Sequence, residues 1–280
     1  MTRLRQEDLT GINRSLDRYD EELVAKTGSD LQGIACGVAH LEPDRFQRSR
    51  DSVTIGIIPV SCGEGIIRGF SQAVLDIIKH IGFRGFITIH PDIAGLAEAV
   101  HQGADIVMMA DDIRFIALNI RKRRIIDNAH ATGIAYAHGL NLMAGGVEKK
   151  RVLLIGCGRV GRAAAVFLLA SGAKVSLFDV VEDRSNQLSC ELNQMSGYVD
   201  IAKNLPDALL RTPLILQAAS MDQGIDADTL HPNACIAAPG LPLGLNRAAR
   251  GKFGSRLLHD PLQIGVAAMV VLALDEGCGS

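Results

Sequence analysis

The segment between Arg151 and Asp179 constrains the fold of this chain more than any other part of it. Four apolar residues after Arg151 form a strand pattern, and a helix pattern follows over residues 162–171. Between the two patterns lies Gly156-Cys157-Gly158-Arg159-Val160-Gly161. Glycines at this spacing allow a tight turn, leave room for a pyrophosphate beside the backbone, and let the helix pack closely on the strand. The segment therefore predicts a Rossmann-type unit that holds dinucleotide phosphates at the positive end of a helix.

Two further features predict how the dinucleotide is held. Asp179 follows the next strand, where its carboxylate can accept hydrogen bonds from the adenosine ribose and would repel a 2′-phosphate. We therefore expect NAD rather than NADP. The fourth and fifth strands should face the nicotinamide with their small terminal residues, Ala218-Ala219-Ser220 and Ala238-Pro239-Gly240-Leu241. Close packing of helices on the sheet explains these small residues equally well.

Strand-length apolar runs alternate with helix-length segments elsewhere in the chain, which is typical of α/β architecture. A first series has strands near residues 54–60, 86–89 and 105–109, and a leading helical stretch over residues 6–27 precedes it. The second series begins at the glycine motif. The pattern thus predicts two α/β lobes.

The boundary between the lobes is placed at the stop signal Ala144-Gly145-Gly146. Residues 1–144 are then a substrate domain with a mobile leading helix, and residues 145–261 are a Rossmann NAD-binding domain. A C-terminal helix within residues 262–280 is expected to return to the first domain.

Composition excludes several classes of partner. The chain has 29 basic and 31 acidic residues and a net charge of −2, so it lacks the positive excess that nucleic acid binding requires. Its longest apolar stretch, Ile264 to Leu274, is about half of what a bilayer-spanning helix needs. Six cysteines are scattered without metal-ligand spacing. We expect a cytoplasmic protein without a metal site, membrane segment or nucleic-acid partner, and its oligomeric state, a homodimer included, stays open.

Two loops of the first domain are candidates for substrate binding, because ligands of open α/β sheets lie beyond the carboxyl ends of strands. The first, Ser61-Cys62-Gly63-Glu64-Gly65, either presents N–H groups to a carboxylate as an anion-binding nest or serves as a simple turn. The second is Met109-Ala110-Asp111-Asp112. If Asp112 caps a helix over residues 113–120, Asp111 is free to hold a substrate ammonium or to accept a proton.

The sequence resembles the pyrrolysine synthase family over nearly its whole length. The most particular shared segments are the Met-Ala-Asp-Asp segment at 109–112 and the Pro-Val-Ser-x-Gly loop at 59–63. The glycine motif is shared too, although it occurs in many families. Other shared segments are Leu4-Arg5-Gln6-Glu7-Asp8-Leu9, Thr27-Gly28, Gly33-Ile34, Pro91-Asp92-Ile93-Ala94-Gly95, Glu98-Ala99-Val100, Phe115, Asn119, Thr132-Gly133, Pro239-Gly240-Leu241-Pro242, Pro261-Leu262 and Ile264-Gly265.

The resemblance implies an NAD-linked oxidation of L-lysine-Nε-3-methyl-D-ornithine at the terminal amine carbon of its ornithine part. The resulting imine is then lost as ammonia while the ornithine α-amine closes the pyrroline ring. Carried over to this sequence, the family pattern places Leu4 and Phe70 against the substrate, Ser61 and Cys62 in its binding loop, and Asp111 on its amines. It also implies that the amino-terminal helix moves over bound substrate by induced fit.

This chain departs from the family pattern at two positions. Cys62 stands where a small hydroxyl residue is expected, which alters the hydrogen bonding of the loop. Asp260 stands where glutamate is expected, so its carboxylate has a shorter reach, although it can still face the substrate from the end of the last strand. Neither change removes a required chemical group.

Two other interpretations stay open on the residues alone. Dehydrogenases of the shikimate or methylenetetrahydrofolate type have a similar architecture but rely on a lysine in the first lobe, where the strand region offers only Lys79. A screen of substrates that follows NADH would separate them. A non-catalytic NAD-binding sensor would bind NAD tightly without turning over the isopeptide, and no added interaction segment supports this class.

Overall fold

The computed structural model describes residues 4, 6–9, 12–195, 198–221 and 224–274. Two compact units make up the chain: unit 1 combines Met1–Glu21, Asp30–Thr132 and Pro261–Ser280, and unit 2 combines Glu22–Ser29 and Gly133–Asp260. The sequence instead places the domain boundary after residue 144. Within these described ranges, no helix is long and apolar enough to cross a bilayer.

Unit 1 is built on a mixed sheet. The strands are β1 (Thr54–Ile58), β2 (Arg84–Ile87), β3 (Ile106–Ala110), β4 (Phe115–Asn119) and β5 (Arg124–Asp127). They lie in the order β2-β1-β3-β4-β5, with parallel pairing around β1 and antiparallel pairing from β3 to β5. The helices of this part of the chain are α1 (Ile12–Thr27), α2 (Leu31–Ala39), α3 (Pro43–Ser52), α4 (Phe70–His80) and α5 (Asp92–His101).

Unit 2 is built on a parallel sheet, which α6 (Asn128–Met143) precedes in the chain. The strands are β6 (Arg151–Ile155), β7 (Lys174–Phe178), β8 (Tyr198–Ile201), β9 (Leu214–Gln217), β10 (Cys235–Ala237) and β11 (Leu257–Leu258). The helices between them are α7 (Arg159–Ala170), α8 (Glu182–Leu192), α9 (Leu205–Arg211) and α10 (Arg247–Phe253). The strand order β8-β7-β6-β9-β10-β11 is that of the doubly wound dinucleotide-binding fold. The predicted α/β fold with a Rossmann-type unit is therefore confirmed.

Helix α11 (Gln263–Leu274) closes the core of unit 1. All its residues are buried, and it packs against α2, α4, β4 and β5. A helix that is apolar on every face is stable only inside a core. Two side chains satisfy its last carbonyl groups, because Asn119 donates to Ala273 (3.0 Å) and Lys122 donates to Leu274 (2.8 Å). The C-terminal helix thus returns to the first unit, as the sequence predicts.

Residues 113–120 form a strand and its flanks, and the helix that the sequence predicts there is wrong. Asp111 Oδ1 accepts the N–H groups of Ile113 (2.7 Å) and Arg114 (2.6 Å), and this turn sends the chain back along β3. The side chains of β4 then alternate between buried and half-buried positions, which is the period of a strand. The apolar residues of so short a stretch fit either period, so the turn decides between them.

Candidate active site

The glycine turn of unit 2 requires glycine at two of its three motif positions. Gly156 has a φ of 98°, and a Cβ there would lie 2.7 Å from the backbone nitrogen of Ala219. A Cβ on Gly161 would lie 1.8 Å from the carbonyl oxygen of Gly156, so α7 packs on the turn at backbone distance. Gly158 instead has no atom within 4 Å of its Cβ position. The turn is therefore closely packed on one side and open on the other, as a pyrophosphate site requires.

The first turn of α7 begins at this open position. Its N-cap is Gly158, which has no side chain and so makes no side-chain cap for the first turn, where Arg159 and Val160 lie. The N–H groups at the beginning of a helix and the helix dipole together attract anions. The beginning of α7 therefore fits a phosphate group.

The carboxylate of Asp179 is held beside the turn. Its Oδ2 accepts the N–H of Cys157 (2.8 Å), and its Oδ1 accepts the N–H of Val181 (2.9 Å). These bonds place the acid at the end of β7, where Rossmann folds bind the adenosine ribose. Burial and the charge of Asp179 raise the pKa of the Cys157 thiol to about 12, so this thiol stays neutral.

The ends of β9 and β10 lie close to the same turn. The N–H groups of Ala218 and Ala219 both donate to the carbonyl of Ile155, at 2.7 and 3.1 Å. A Cβ on Gly240 would lie 2.3 Å from the carbonyl oxygen of Ala219. Residues 218–219 thus lie at the end of β9 beside β6, where the strand order reverses, and Gly240 packs against Ala219 from the end of β10. The point of reversal is the usual position of a nucleotide in this fold.

Gln217, the last residue of β9, holds residue 219 in place through its side chain. The sequence does not predict this role. Its buried side chain donates from Nε2 to the carbonyl of Ala219, while its Oε1 has no hydrogen-bond partner among the described residues. A Cβ on Gly240 or on Gly244 would lie 3.0 Å from the same Nε2. Glycine at these two positions therefore makes room for the amide group.

In unit 1, two carboxylates hold the loop from Ser61 to Gly65. Asp92 accepts both the N–H of Ser61 (2.8 Å) and its hydroxyl group (2.5 Å). Asp112 accepts the N–H of Glu64 (2.7 Å), and its Oδ2 lies 1.8 Å from the position of a Cβ on Gly63. Acids of the same unit therefore take two of the N–H groups of this loop. These two N–H groups are therefore not available to an anion, which favours the simple-turn interpretation of the loop over the anion-binding nest.

Of the two acids after β3, the one that caps the following backbone is Asp111 and not, as expected, Asp112. Asp111 caps the turn with its Oδ1, whereas Asp112 reaches the loop. The reason is that a hairpin follows them instead of a helix, and the first acid is the one that meets the N–H groups of the turn. Within the described ranges, Oδ2 of Asp111 accepts no hydrogen bond, and the side chain is exposed. One oxygen of Asp111 is therefore available to a ligand.

The other substrate residues predicted in unit 1 differ in burial. Phe70 begins α4 and packs edge-to-face on Phe115, with the ring centroids 5.2 Å apart. Leu4 is half-buried, and Cys62 is exposed. Phe70 is thus the most firmly placed of the three.

Asp260 is buried in unit 2 and bonded to Tyr136. The tyrosine hydroxyl donates to Oδ2 of Asp260 (2.8 Å) and accepts the N–H of the same residue (2.8 Å). Burial and the charge of Asp260 raise the pKa of Tyr136 well above its usual value, so the hydroxyl stays protonated. The sequence gives no sign of this pair, because 124 positions separate its members.

The edge of the sheet in unit 1 is rich in hydrogen-bond acceptors. Glu64, Asp92, Asp111 and Asp112 all follow the carboxyl ends of β1, β2 and β3. Hydrogen bonds from Ser61 lower the pKa of Asp92, so this acid is ionised at neutral pH. Such an edge suits an ammonium group better than an anion. No group of three or more His, Cys, Asp or Glu in the described part of the chain could hold a metal ion.

The strand order, the glycine turn and the acid beside it define the class of this protein, a dehydrogenase-type enzyme with a nicotinamide-nucleotide unit. Solved structures share its fold. Quinate dehydrogenase from Corynebacterium glutamicum in complex with NAD is 17% identical, with 80% of this chain and 93% of that chain covered and a TM-score of 0.54. Shikimate dehydrogenase from Aquifex aeolicus is 14% identical, with coverages of 81% and 94% and a TM-score of 0.54.

The particular family follows from the sequence relatives. The chain is 32% identical over 270 residues to the pyrrolysine synthase of Methanosarcina acetivorans, and the alignment covers 96% of this chain and 98% of the relative. It is 31% identical over 274 residues to that of Methanosarcina barkeri, with 98% of each chain covered. The chain belongs to the pyrrolysine synthase family, which confirms the resemblance noted above. Family profiles for the "Pyrrolysine biosynthesis protein PylD, N-terminal domain" and the "Alanine dehydrogenase/PNT, C-terminal domain" match residues 8–126 and 126–230.

Proposed function

We propose that this protein oxidises L-lysine-Nε-3-methyl-D-ornithine at the terminal amine carbon of the ornithine part, with NAD as oxidant, and forms pyrrolysine. Membership of the pyrrolysine synthase family supports the reaction. The observation that carries the substrate assignment is the acceptor-rich edge of unit 1, where Asp111 keeps one carboxylate oxygen for a ligand. A substrate with several amines needs such acceptors.

The chemistry assigns a task to Asp111. NAD, when bound at the glycine turn, supplies the hydride acceptor. A hydride leaves only a carbon that bears a neutral amine, so an ammonium of the substrate must first lose a proton. Oδ2 of Asp111 accepts that proton directly or through water. The imine carbon is then attacked by the α-amine of the ornithine part, the former terminal nitrogen leaves as ammonia, and the pyrroline ring is closed.

The choice of NAD over NADP rests on Asp179. Its carboxylate is tied to the turn by Cys157 and to the chain beyond β7 by Val181. An acid held in this way accepts hydrogen bonds from the ribose hydroxyls and repels a 2′-phosphate. We therefore propose NAD as the cofactor, held by the glycine turn and by residues 218–219 and Pro239.

The remaining substrate residues act by shape and by closure. Leu4 and Phe70 provide apolar contact, and Ser61 and Cys62 line the binding loop. Asp260 is buried and bonded to Tyr136, so we do not propose it as a substrate contact. Closure of the amino-terminal helix over bound substrate is part of the proposal. This helix, α1, is tied to α4 by Asp20, which lies 2.6 Å from Nε2 of His80, so closure has to preserve or replace that contact.

The test is direct. Purified protein is mixed with NAD and lysyl-Nε-D-ornithine, and NADH absorbance and product mass are followed. We expect one NADH for each molecule of cyclised product, which has lost ammonia and two further hydrogens. Asp111→Asn should lower kcat/KM about a hundredfold or more while NAD affinity is unchanged. Asp44→Asn, an exposed acid of α3, is the matched control. No NADH from the parent protein, or full turnover by Asp111→Asn, would refute the assignment.

The similarity in fold to quinate and shikimate dehydrogenases suggests a second candidate activity, the oxidation of such substrates. The contacts of the loop from Ser61 to Gly65 do not favour it. Such substrates carry a carboxylate, which needs donors, whereas the N–H groups of Ser61 and Glu64 are already taken. Lys79 lies exposed near the end of α4 and so is not held at the sheet edge. NADH formation from quinate or shikimate, together with none from the isopeptide, would favour this rival.

A further inference from the structure

Asp92 has an unusual backbone conformation beside the candidate substrate loop. Its φ is 56°, in the left-handed region that side-chain-bearing residues rarely adopt. Its N–H donates to the carbonyl of Pro59 (2.9 Å), and its carboxylate reaches Ser61, 31 positions away. A strained residue persists only where its surroundings over-determine it, and such residues cluster at functional sites.

The connection from β2 to α5 supplies that surrounding frame. Glu98 accepts the N–H groups of Ile89 (2.9 Å) and His90 (3.0 Å), and the hydroxyl of Thr88 donates to the carbonyl of His90 (2.8 Å). A Cβ on Gly95 would lie 2.2 Å from that same carbonyl, so α5 packs on the connection at backbone distance. Hydrogen bonds and close packing therefore hold the connection that carries Asp92 to Ser61.

The contact with Ser61 has a chemical direction. An ionised carboxylate has no proton to donate, so the hydroxyl of Ser61 donates its only proton to Asp92 Oδ2 at 2.5 Å. The lone pairs of the hydroxyl oxygen then remain for a ligand, and the side chain is exposed. In this state the hydroxyl accepts a hydrogen bond from an ammonium group but donates none to a carboxylate.

We propose that Asp92 is a positioning residue that makes the hydroxyl of Ser61 an obligatory acceptor and so selects an ammonium group of the substrate. This inference rests on the proposed function, which places Ser61 against the substrate. Asp92 itself touches no substrate atom, and its effect passes entirely through Ser61. A merely structural tie between two loops would give a different mutational pattern.

The test reverses the polarity of this bond. Asn tolerates the left-handed region well, and in Asp92→Asn the amide oxygen can keep the N–H of Ser61 while the NH₂ group donates to its hydroxyl. The hydroxyl proton is then free to face the ligand and oppose an ammonium. We expect the dissociation constant and KM for lysyl-Nε-D-ornithine to rise about tenfold or more, with NAD affinity and Tm unchanged. Asp44→Asn is again the control.

The same substitution in a Ser61→Ala protein shows whether Asp92 acts through the hydroxyl of Ser61 or only ties the two loops together. In Ser61→Ala the hydroxyl is absent, so adding Asp92→Asn should change isopeptide affinity less than twofold. If Asp92→Asn does not fold, Asp92→Gly replaces it, because glycine adopts the same φ without strain and removes both acceptors. Isopeptide affinity is measured by calorimetry without NAD, so it is independent of turnover.

The outcomes are distinct. Failure of the unmodified protein to form NADH contradicts the proposed function. The role of Asp92 is still decided by the isopeptide affinities of the unmodified protein, Asp92→Asn, Ser61→Ala and the double variant. Unchanged isopeptide affinity in Asp92→Asn overturns the inference. An equal loss of affinity with and without the Ser61 hydroxyl overturns it as well.

Discussion

Alanine substitutions in the glycine turn should separate cofactor binding from folding. At Gly158, φ is −77° and the Cβ position has no atom within 4 Å, so alanine fits the folded protein. Reduced freedom of the unfolded chain favours alanine by about 0.4–1 kcal/mol, and its poorer N-capping offsets a similar amount. The free energy of unfolding should therefore change by less than about 0.5 kcal/mol. The new methyl group nevertheless occupies the space through which the pyrophosphate approaches.

Gly161→Ala is the opposite case. Its Cβ would lie 1.8 Å from the carbonyl oxygen of Gly156, and ordinary contact begins at 3.4 Å, so α7 has to move about 1.6 Å from the turn. Overpacking of this kind costs roughly 1–3 kcal/mol. A protein of this size loses about 2–4 °C in Tm for each kcal/mol.

Thermal unfolding and NAD titration of the two variants test this reasoning. Gly158→Ala should keep its Tm within about 2 °C and lose at least about tenfold in NAD affinity. Gly161→Ala should have a lower Tm than the parent protein, and it should bind NAD more weakly because α7 is displaced. If Gly158→Ala binds NAD as the parent does, the open side of the turn is not the phosphate site.

Three further outcomes are expected. Asp179→Ala should weaken NAD binding and raise use of NADP relative to NAD, as measured by coupled titrations with both cofactors; an unchanged preference contradicts the role of this acid. The N–H groups of Ile89 and His90 lower the pKa of Glu98 to about 2, below its unfolded value of about 4.3, so the stability it contributes is present above that value and is lost as pH falls. Acid unfolding curves of Glu98→Gln should therefore fall less steeply between about pH 5 and pH 2, and superimposable curves would exclude this contribution. Tyr136→Phe removes a donor from buried Asp260 and the acceptor of its N–H, and should destabilise the protein by about 1–3 kcal/mol in urea unfolding; a loss below about 0.5 kcal/mol would count against the pair.

The Rossmann-type unit is predictable because its signals are local. The sequence places β7 at Lys174 to Phe178, and the structure has the strand at the same residues. Turn, helix start and acid all lie within one short segment, so each supports the identification of the others. The ends of β9 and β10 follow from topology, which a parallel sheet largely determines.

The acid-rich edge of the sheet in unit 1 is harder to predict because its contacts are not local. The N–H groups of Ser61 and Glu64 bind acids that lie 31 and 48 positions away, and no pattern within the loop reports them. The sequence assigns the cap to Asp112 instead of Asp111 because the hairpin after β3 contains no glycine that would indicate a turn. The left-handed conformation of Asp92 likewise depends on the frame around it.

Helix α11 makes unit 1 discontinuous along the chain. The helix is fully buried among α2, α4, β4 and β5, yet the whole of Gly133–Asp260 is synthesised between those elements and the helix. A nascent chain that has completed the five strands of this unit still exposes the surface that α11 covers. The Rossmann-type unit can therefore finish folding first, and unit 1 is completed only when the last helix arrives.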